Sequence, residues 1–165
     1  MPTVLLALGS NLGQRIDHLR AARQALATRV TIGATSPIYE TEPLYVTEQP
    51  AFLNMVLRGD VGLSPEELLA FIKKTERDLG RAASVRFGPR VIDIDIIDYD
   101  GRQLQRPDLV IPHPRVHERA FVLRPLADVA PRWSHPRSGK TALQLLRTLP
   151  DKQGIRPYAE APVAP

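Results

Sequence analysis

Residues 91–99, V-I-D-I-D-I-I-D-Y, constrain the fold of this chain more than any other stretch. Alternation of isoleucine with aspartate has the period of a β-strand, in which successive side chains point to opposite faces. Ile92, Ile94 and Ile96 are therefore expected on a core-facing side. Asp93 and Asp95 share the other side, about 6.7 Å apart along the strand. Such a strand needs neighbours that cover its apolar side, so the chain must build a sheet with at least one buried face.

The rest of the chain supplies those neighbours. Residues 3–8 read as a short buried strand, and Gly9-Ser10-Asn11-Leu12-Gly13 as turn formers that end it. Apolar residues at 12, 16, 19, 22 and 26 have helical spacing, with Gln14, Arg15, His18 and Arg23 on the polar face. Residues 31–40 and 52–61 read as strands, joined by an exposed loop that holds Pro43 and Pro50. Ser64, Pro65 and Glu67 mark a helix start, as N-cap, first-turn proline and capping-box acid. Leu68, Leu69, Ile72 and Leu79 form the stripe of that helix, and Gly80 stops it. A basic loop, 81–90, leads into the Ile/Asp strand. Proline-rich loops, a helix-like stretch near 115–128 and a short helix near 139–148 follow. The Pro/Ala-rich residues from Asp151 onward are expected to form a loose tail. The order β-α-β-β-α-β plus a C-terminal extension predicts a ferredoxin-like α+β sandwich, a mostly antiparallel sheet with helices packed on it. At 165 residues, one domain spanning 1–165 is expected.

Composition narrows the function classes. Without cysteine there is no disulfide framework and no thiolate metal site. No apolar run approaches the length of a membrane span, and the apolar residues 4–8 lack a basic leader, so the cytoplasm is the expected compartment. The net charge is +4, and 18 of the 22 basic residues are arginine. Guanidinium suits phosphate and carboxylate, but a coding bias toward arginine gives the same count, so placement has to decide.

Placement points to a polyphosphate. Asp93 and Asp95 on one face repel each other unless a cation bridges them, and hard oxygen ligands of this kind suit Mg²⁺. A bare D-x-D is more often a solvated strand face. Here Arg81, Arg86 and Arg90 precede it with no acid among them, a set complementary to a metal-bound polyphosphate. Glu76 falls inside the apolar arc of its helix, just before the basic loop, where it pairs locally or contacts a ligand. His113 is stiffened between two prolines, and Arg115 and Arg119 are one helical turn apart. Phe52 and Asn54 share a strand face, where a ring and a carboxamide can stack on and hydrogen-bond a flat heterocycle.

Taken in order, G-S-N-L at 9–12, Y-x-T-x-P-L at 39–44, Q-P-x-F-L-N at 49–54, E-x-x-x-G-R at 76–81, R-F-G-P-R-x-x-D-x-D at 86–95 and P-H-P-R-x-x-E-R-x-F-V at 112–122 resemble the 6-hydroxymethyl-7,8-dihydropterin pyrophosphokinases of folate biosynthesis. The resemblance runs over about residues 3–148. It implies transfer of the β,γ-diphosphate of ATP to the hydroxymethyl oxygen of the pterin, with release of AMP. It implies two Mg²⁺ ions on Asp93 and Asp95, with Arg81 and Arg90 joining the acids in catalysis. The pterin would lie between Phe52 and Phe121, bound by Thr41, Pro43, Leu44 and Asn54. ATP would lie against Glu76, Arg81, Arg86, Arg90, Ile96, His113 and Arg119. The chain departs from the well-known bacterial form at Phe87, Ala83 and Lys73, where that form has Trp, Arg and Gln, and at Asp108 and Val110. These departures bear on ATP binding and loop closure rather than on the chemistry. The competing reading is a basic ferredoxin-like domain that holds RNA on its sheet. Aromatics at 5% and two acids on the central strand argue against it. The expected partners are thus the two small substrates, without nucleic acid or membrane, and the expected state is a monomer.

Overall fold

The computed structural model describes residues 1–43, 48–80, 91–150 and 154–162. Its elements run β1 (Thr3–Ser10), α1 (Arg15–Leu26), β2 (Val30–Thr35), β3 (Ile38–Thr41), β4 (Phe52–Val61), α2 (Pro65–Asp78), β5 (Asp93–Tyr99), β6 (Leu104–Arg106), β7 (Leu109–Ile111), α3 (Ala120–Val129), α4 (Ala142–Arg147) and β8 (Ile155–Ala159). One antiparallel sheet has the order β5-β1-β4-β3-β8, with β2 also paired to β4. Without β8, and with β2 and β3 counted as one broken strand, that is the predicted ferredoxin-like arrangement.

The break has a local cause. Pro37 has no N–H to continue the ladder, so the single strand expected at 31–40 divides there. Ser36 bridges the gap: its N–H donates to the Val56 carbonyl at 3.0 Å, and its hydroxyl accepts the Val56 N–H at 2.9 Å.

Both faces of the sheet are covered. On one, Leu19, Leu26, Leu68 and Ile72 of α1 and α2 pack on Leu6, Leu8, Met55, Ile94 and Ile96. On the other, Val122, Leu123 and Leu126 of α3 and Leu145 of α4 pack on Leu5, Val56 and Ile97. Ile92, Ile94 and Ile96 thus take the predicted core side. Ile97, on the same side as Asp93 and Asp95, enters the second core, and a register shift opposite Leu5/Leu6 returns Tyr99 to the first. α2 carries the predicted cap: Ser64 Oγ accepts the Glu67 N–H, and Glu67 Oε1 accepts the Ser64 N–H.

Four expectations are corrected. Gly9 and Ser10 are not turn residues but strand residues, paired with Asn54 and Leu53, and α1 starts only at Arg15. The proline-rich stretch after Tyr99 holds a hairpin, β6–β7, because Leu109 and Ile111 bury into the first core. The helix-like stretch near 115–128 is a 3-10 turn at Val116–Glu118 followed by α3, so Arg115 and Arg119 do not share a helix face. The tail is not loose at 155–159, where β8 pairs with β3. Among the described residues, no helix is long and apolar enough to cross a membrane.

Candidate active site

The sheet register builds a row of functional positions. Asp93 on β5 lies opposite Gly9 on β1, Gly9 opposite Asn54 on β4, and Asn54 opposite Tyr39 on β3. Directly opposed residues share a face, so this row, with Thr41 and Phe52 beside it, occupies the α3 side of the sheet. Asp95, opposite Ala7, lies on the same side two residues along from Asp93.

At the pocket end of the row, Asn54 Nδ2 donates to Thr41 Oγ1 at 2.7 Å, and both residues are buried. That bond fixes the carboxamide, so the Asn54 oxygen faces a set direction. Gly9 supplies floor space beside it: a Cβ there would stand 3.0 Å from Asn54 Oδ1 and 3.6 Å from the Phe52 ring. Phe121 opens α3 above this face and is half-buried, as is Phe52. Pro43 is buried at the rim. Two half-buried rings on this side of the sheet and a fixed amide suit a flat heterocycle with its own donors and acceptors.

At the acidic end, Asp95 is pushed up to about 7, first by burial and then by the Asp93 charge, against the pull of Arg119. Its side chain is still 33% exposed, so the carboxylate keeps access to solvent. Arg119 Nη1 and His113 Nε2 each stand 3.9 Å from Asp95 Oδ2. Arg119 is nearly buried, and its guanidinium lies 5.5 Å from the Phe121 ring centroid, a cation–π contact. His113 Nδ1 accepts the Arg115 N–H at 3.1 Å, which leaves the neutral ring's proton on Nε2, toward the acids. Burial, Arg119 and Arg115 hold this histidine down to about 4, so it is a neutral donor at pH 7.

Two carboxylates side by side, each raising the cost of the other's charge, are the donor set expected of a hard divalent cation. Among the described residues no cluster of three or more potential ligand side chains exists. Mg²⁺ needs none, since it keeps several waters and takes one or two carboxylates together with substrate phosphates. The residues fit that ion.

Glu76 explains itself locally. At 2% exposure, its Oε2 accepts the Ile94 N–H at 2.9 Å while Oε1 pairs with Lys73 at 3.5 Å. The acid inside the apolar arc thus ties the end of α2 to the strand that carries the aspartates. The Ile96 side chain is in the first core, opposite the acids, so only its backbone can meet a nucleotide. Arg81, Arg86, Arg90 and Leu44 lie outside the described residues, as do the departures at Ala83 and Phe87.

Residues 5–131 match the family model described as 7,8-dihydro-6-hydroxymethylpterin-pyrophosphokinase, HPPK. The chain belongs to the HPPK family. It is 37% identical over 159 residues to the 2-amino-4-hydroxy-6-hydroxymethyldihydropteridine pyrophosphokinase of Bacillus subtilis, covering 94% of this chain and 95% of that one. It is 42% identical over 161 residues to the folic acid synthesis protein FOL1 of Dictyostelium discoideum, covering 98% of this chain but 24% of that relative's length. In fold it is similar to the crystal structure of wild-type Plasmodium falciparum HPPK-DHPS, with a TM-score of 0.72 at 15% identity, over 89% of this chain and 44% of that one. The chain therefore spans about a quarter of the length of several curated relatives and nearly all of others.

Three residues that shape this site are not evident from the sequence pattern. The sequence pattern puts Gly9 in a turn, although a glycine closing an apolar run equally fits a strand that must leave room. Asn11, 1% exposed, donates to Gln49 Oε1 and to the Pro50 carbonyl at the end of the loop that precedes Phe52. Arg15, read as one more polar-face arginine, pairs with Glu40 at 2.8 Å and donates to the Ala51 carbonyl at 2.9 Å. The N-terminal motif thus holds the loop that precedes Phe52.

Proposed function

We propose that this chain transfers the β,γ-diphosphate of ATP to the hydroxymethyl group of 6-hydroxymethyl-7,8-dihydropterin, giving the pterin diphosphate and AMP. The single observation that carries the reading is the shared face of the sheet. It brings the Asp93/Asp95 pair, with Arg119 and His113 at 3.9 Å, into one row with the Asn54–Thr41 amide and the Phe52 and Phe121 rings. A polyphosphate end and a heterocycle end on one rigid surface are what a bisubstrate transfer requires.

The hydroxymethyl oxygen bonds to the β-phosphorus, the bridge between the α- and β-phosphates breaks, and the hydroxyl proton is released. Asn54, Thr41, Pro43 and Leu44 orient the pterin, and the two phenylalanine rings stack on it. Arg119, the His113 Nε2–H and the arginines at 81, 86 and 90 hold the phosphate oxygens; Glu76 fixes β5 and the Ile96 backbone borders the nucleotide. Asp93 and Asp95 would hold two Mg²⁺ ions, which when bound would neutralise the polyphosphate and polarise the bond that breaks. The reading takes the enzyme as a cytoplasmic monomer.

The RNA-binding alternative loses its platform. α3 and α4 pack over the sheet face that such a domain would leave open for base stacking.

Incubation of the protein with MgATP and the hydroxymethyl pterin, followed by separation of nucleotides, tests the proposal. AMP in step with pterin diphosphate is expected. ADP in place of AMP, or no turnover, overturns it.

A further inference from the structure

Strand β8 lies beyond the family match, which ends at residue 131, yet it pairs with β3, the strand that bears Thr41. It pairs with β3 so that Ile155 stands opposite Thr41 and Arg156 opposite Glu40. The Arg156 guanidinium grips two carboxylates, Glu40 in a close contact and Glu42 at 3.5 Å. The second Glu40 oxygen accepts from Arg15 at 2.8 Å, and the same Arg15 nitrogen reaches the Ala51 carbonyl. Arg15 also lies over the Tyr158 ring of β8, 5.4 Å from its centroid. Gly154, at φ +63°, brings the chain so close that a Cβ there would meet Glu42 Cγ at 3.1 Å. Three side-chain contacts, Arg156 to Glu40 and Glu42 and Tyr158 to Arg15, thus tie β8 to the point where β3 and β4 part.

That point matters because of its neighbour. Thr41 sits between Glu40 and Glu42, and its hydroxyl holds the Asn54 amide. The Glu40 side chain is only 15% exposed and each of its oxygens meets a guanidinium, Arg15 on one and Arg156 on the other. Without β8, β3 would be an outer strand with one unpaired edge, and Thr41, at its end, would be held by the ladder to β4 alone.

We propose that β8, through Arg156 and its partners Glu40 and Glu42, is a positioning element of the pterin site that holds Thr41, and thereby the Asn54 carboxamide, in the orientation that reads the heterocycle. This rests on the pterin reading above. Arg156 touches no substrate and acts through Glu40 and β3.

Steady-state kinetics of the full chain test it, with each substrate varied in turn. Arg156→Ala is expected to raise the pterin KM about five- to tenfold while kcat and the ATP KM stay within about twofold. Glu40→Gln should give the same split, and Arg156→Lys should recover part of the loss. Arg20→Ala, which removes an exposed arginine remote from β8, serves as the control and should change none of the three. Should Arg156→Ala not fold, Glu40→Gln and Arg156→Lys carry the same comparison. A pterin KM that stays within twofold in the variants, or a joint rise in both KM values with a fall in kcat, overturns the proposal. Wild-type turnover alongside either result leaves the enzymatic reading standing, whereas absent turnover by the wild-type chain removes both.

Discussion

Gly9 lies directly opposite Asn54 across the β1–β4 ladder, and the volume a side chain would need at Gly9 is 3.0 Å from the Asn54 amide oxygen. The amide cannot swing aside freely, because its nitrogen is bonded to Thr41 at 2.7 Å. Gly9 therefore couples the acidic strand to the Asn54 amide by leaving space.

Gly9→Ala tests that coupling. The added methyl must displace the amide or the Phe52 ring, at the cost of about one buried hydrogen bond, roughly 1–2 kcal/mol. The expected outcome is a rise of about tenfold in the pterin KM with the ATP KM unchanged. Equal effects on both substrates would mean that Gly9 serves the sheet as a whole.

The legibility of this site followed the sequence separation of its parts. The Ile/Asp alternation lies within one strand, so the faces of Ile94 and Asp95 could be read directly. The α2 cap was equally local, with Ser64 and Glu67 three residues apart. Glu76 was visible as an anomaly in the apolar arc, but its partner, the Ile94 N–H, is 18 residues away and nothing in the sequence joins them. Arg156 and Glu40 are 116 residues apart, so a Pro/Ala-rich stretch looked loose when pairing with β3 holds it. Gly9 shows a different failure: the same residue serves turns and close packing, and only the register against Asn54 separates the two.

Asp95→Asn separates chemistry from stability. Asparagine keeps the shape of the side chain and removes the charge that burial and Asp93 disfavour. In the absence of divalent metal, the variant should melt at or above the wild-type temperature at pH 7, because a repulsive charge is gone. Turnover should fall by at least about a hundredfold, since the proposed cation would lose a charged ligand. Near wild-type turnover would remove Asp95 from the metal site, and a collapse of the melting temperature would make it a structural residue instead.

Tyr39→Phe addresses the anchoring of α3. The Tyr39 hydroxyl donates to Asp128 Oδ2 at 2.5 Å, and Arg124 holds the other oxygen at 3.0 Å. This clasp joins the strand that bears Thr41 to the helix that opens with Phe121. Phenylalanine fills the same space, so the loss is one hydrogen bond to a partly exposed carboxylate, about 1 kcal/mol. Urea unfolding should show a lower midpoint with the same slope. An unchanged midpoint would mean that Arg124 alone satisfies Asp128.

The Glu40 pair should also leave a signature in acid. The Arg15 hydrogen bond, aided by Arg156 and opposed by burial, holds the Glu40 carboxyl below its ordinary value of 4.5. A group with a depressed folded pKa stabilises the fold above its unfolded pKa, and that contribution disappears as pH falls through the folded value. Wild type should therefore be more stable than Glu40→Gln at pH 7. The gap should begin to shrink below pH 4.5 and close as the folded carboxyl takes up its proton. Melting curves of both proteins from neutral pH down to about pH 3 measure it. A gap independent of pH would assign the stabilisation to hydrogen-bond geometry that glutamine cannot reproduce, because only the charged form of Glu40 draws on both guanidinium groups.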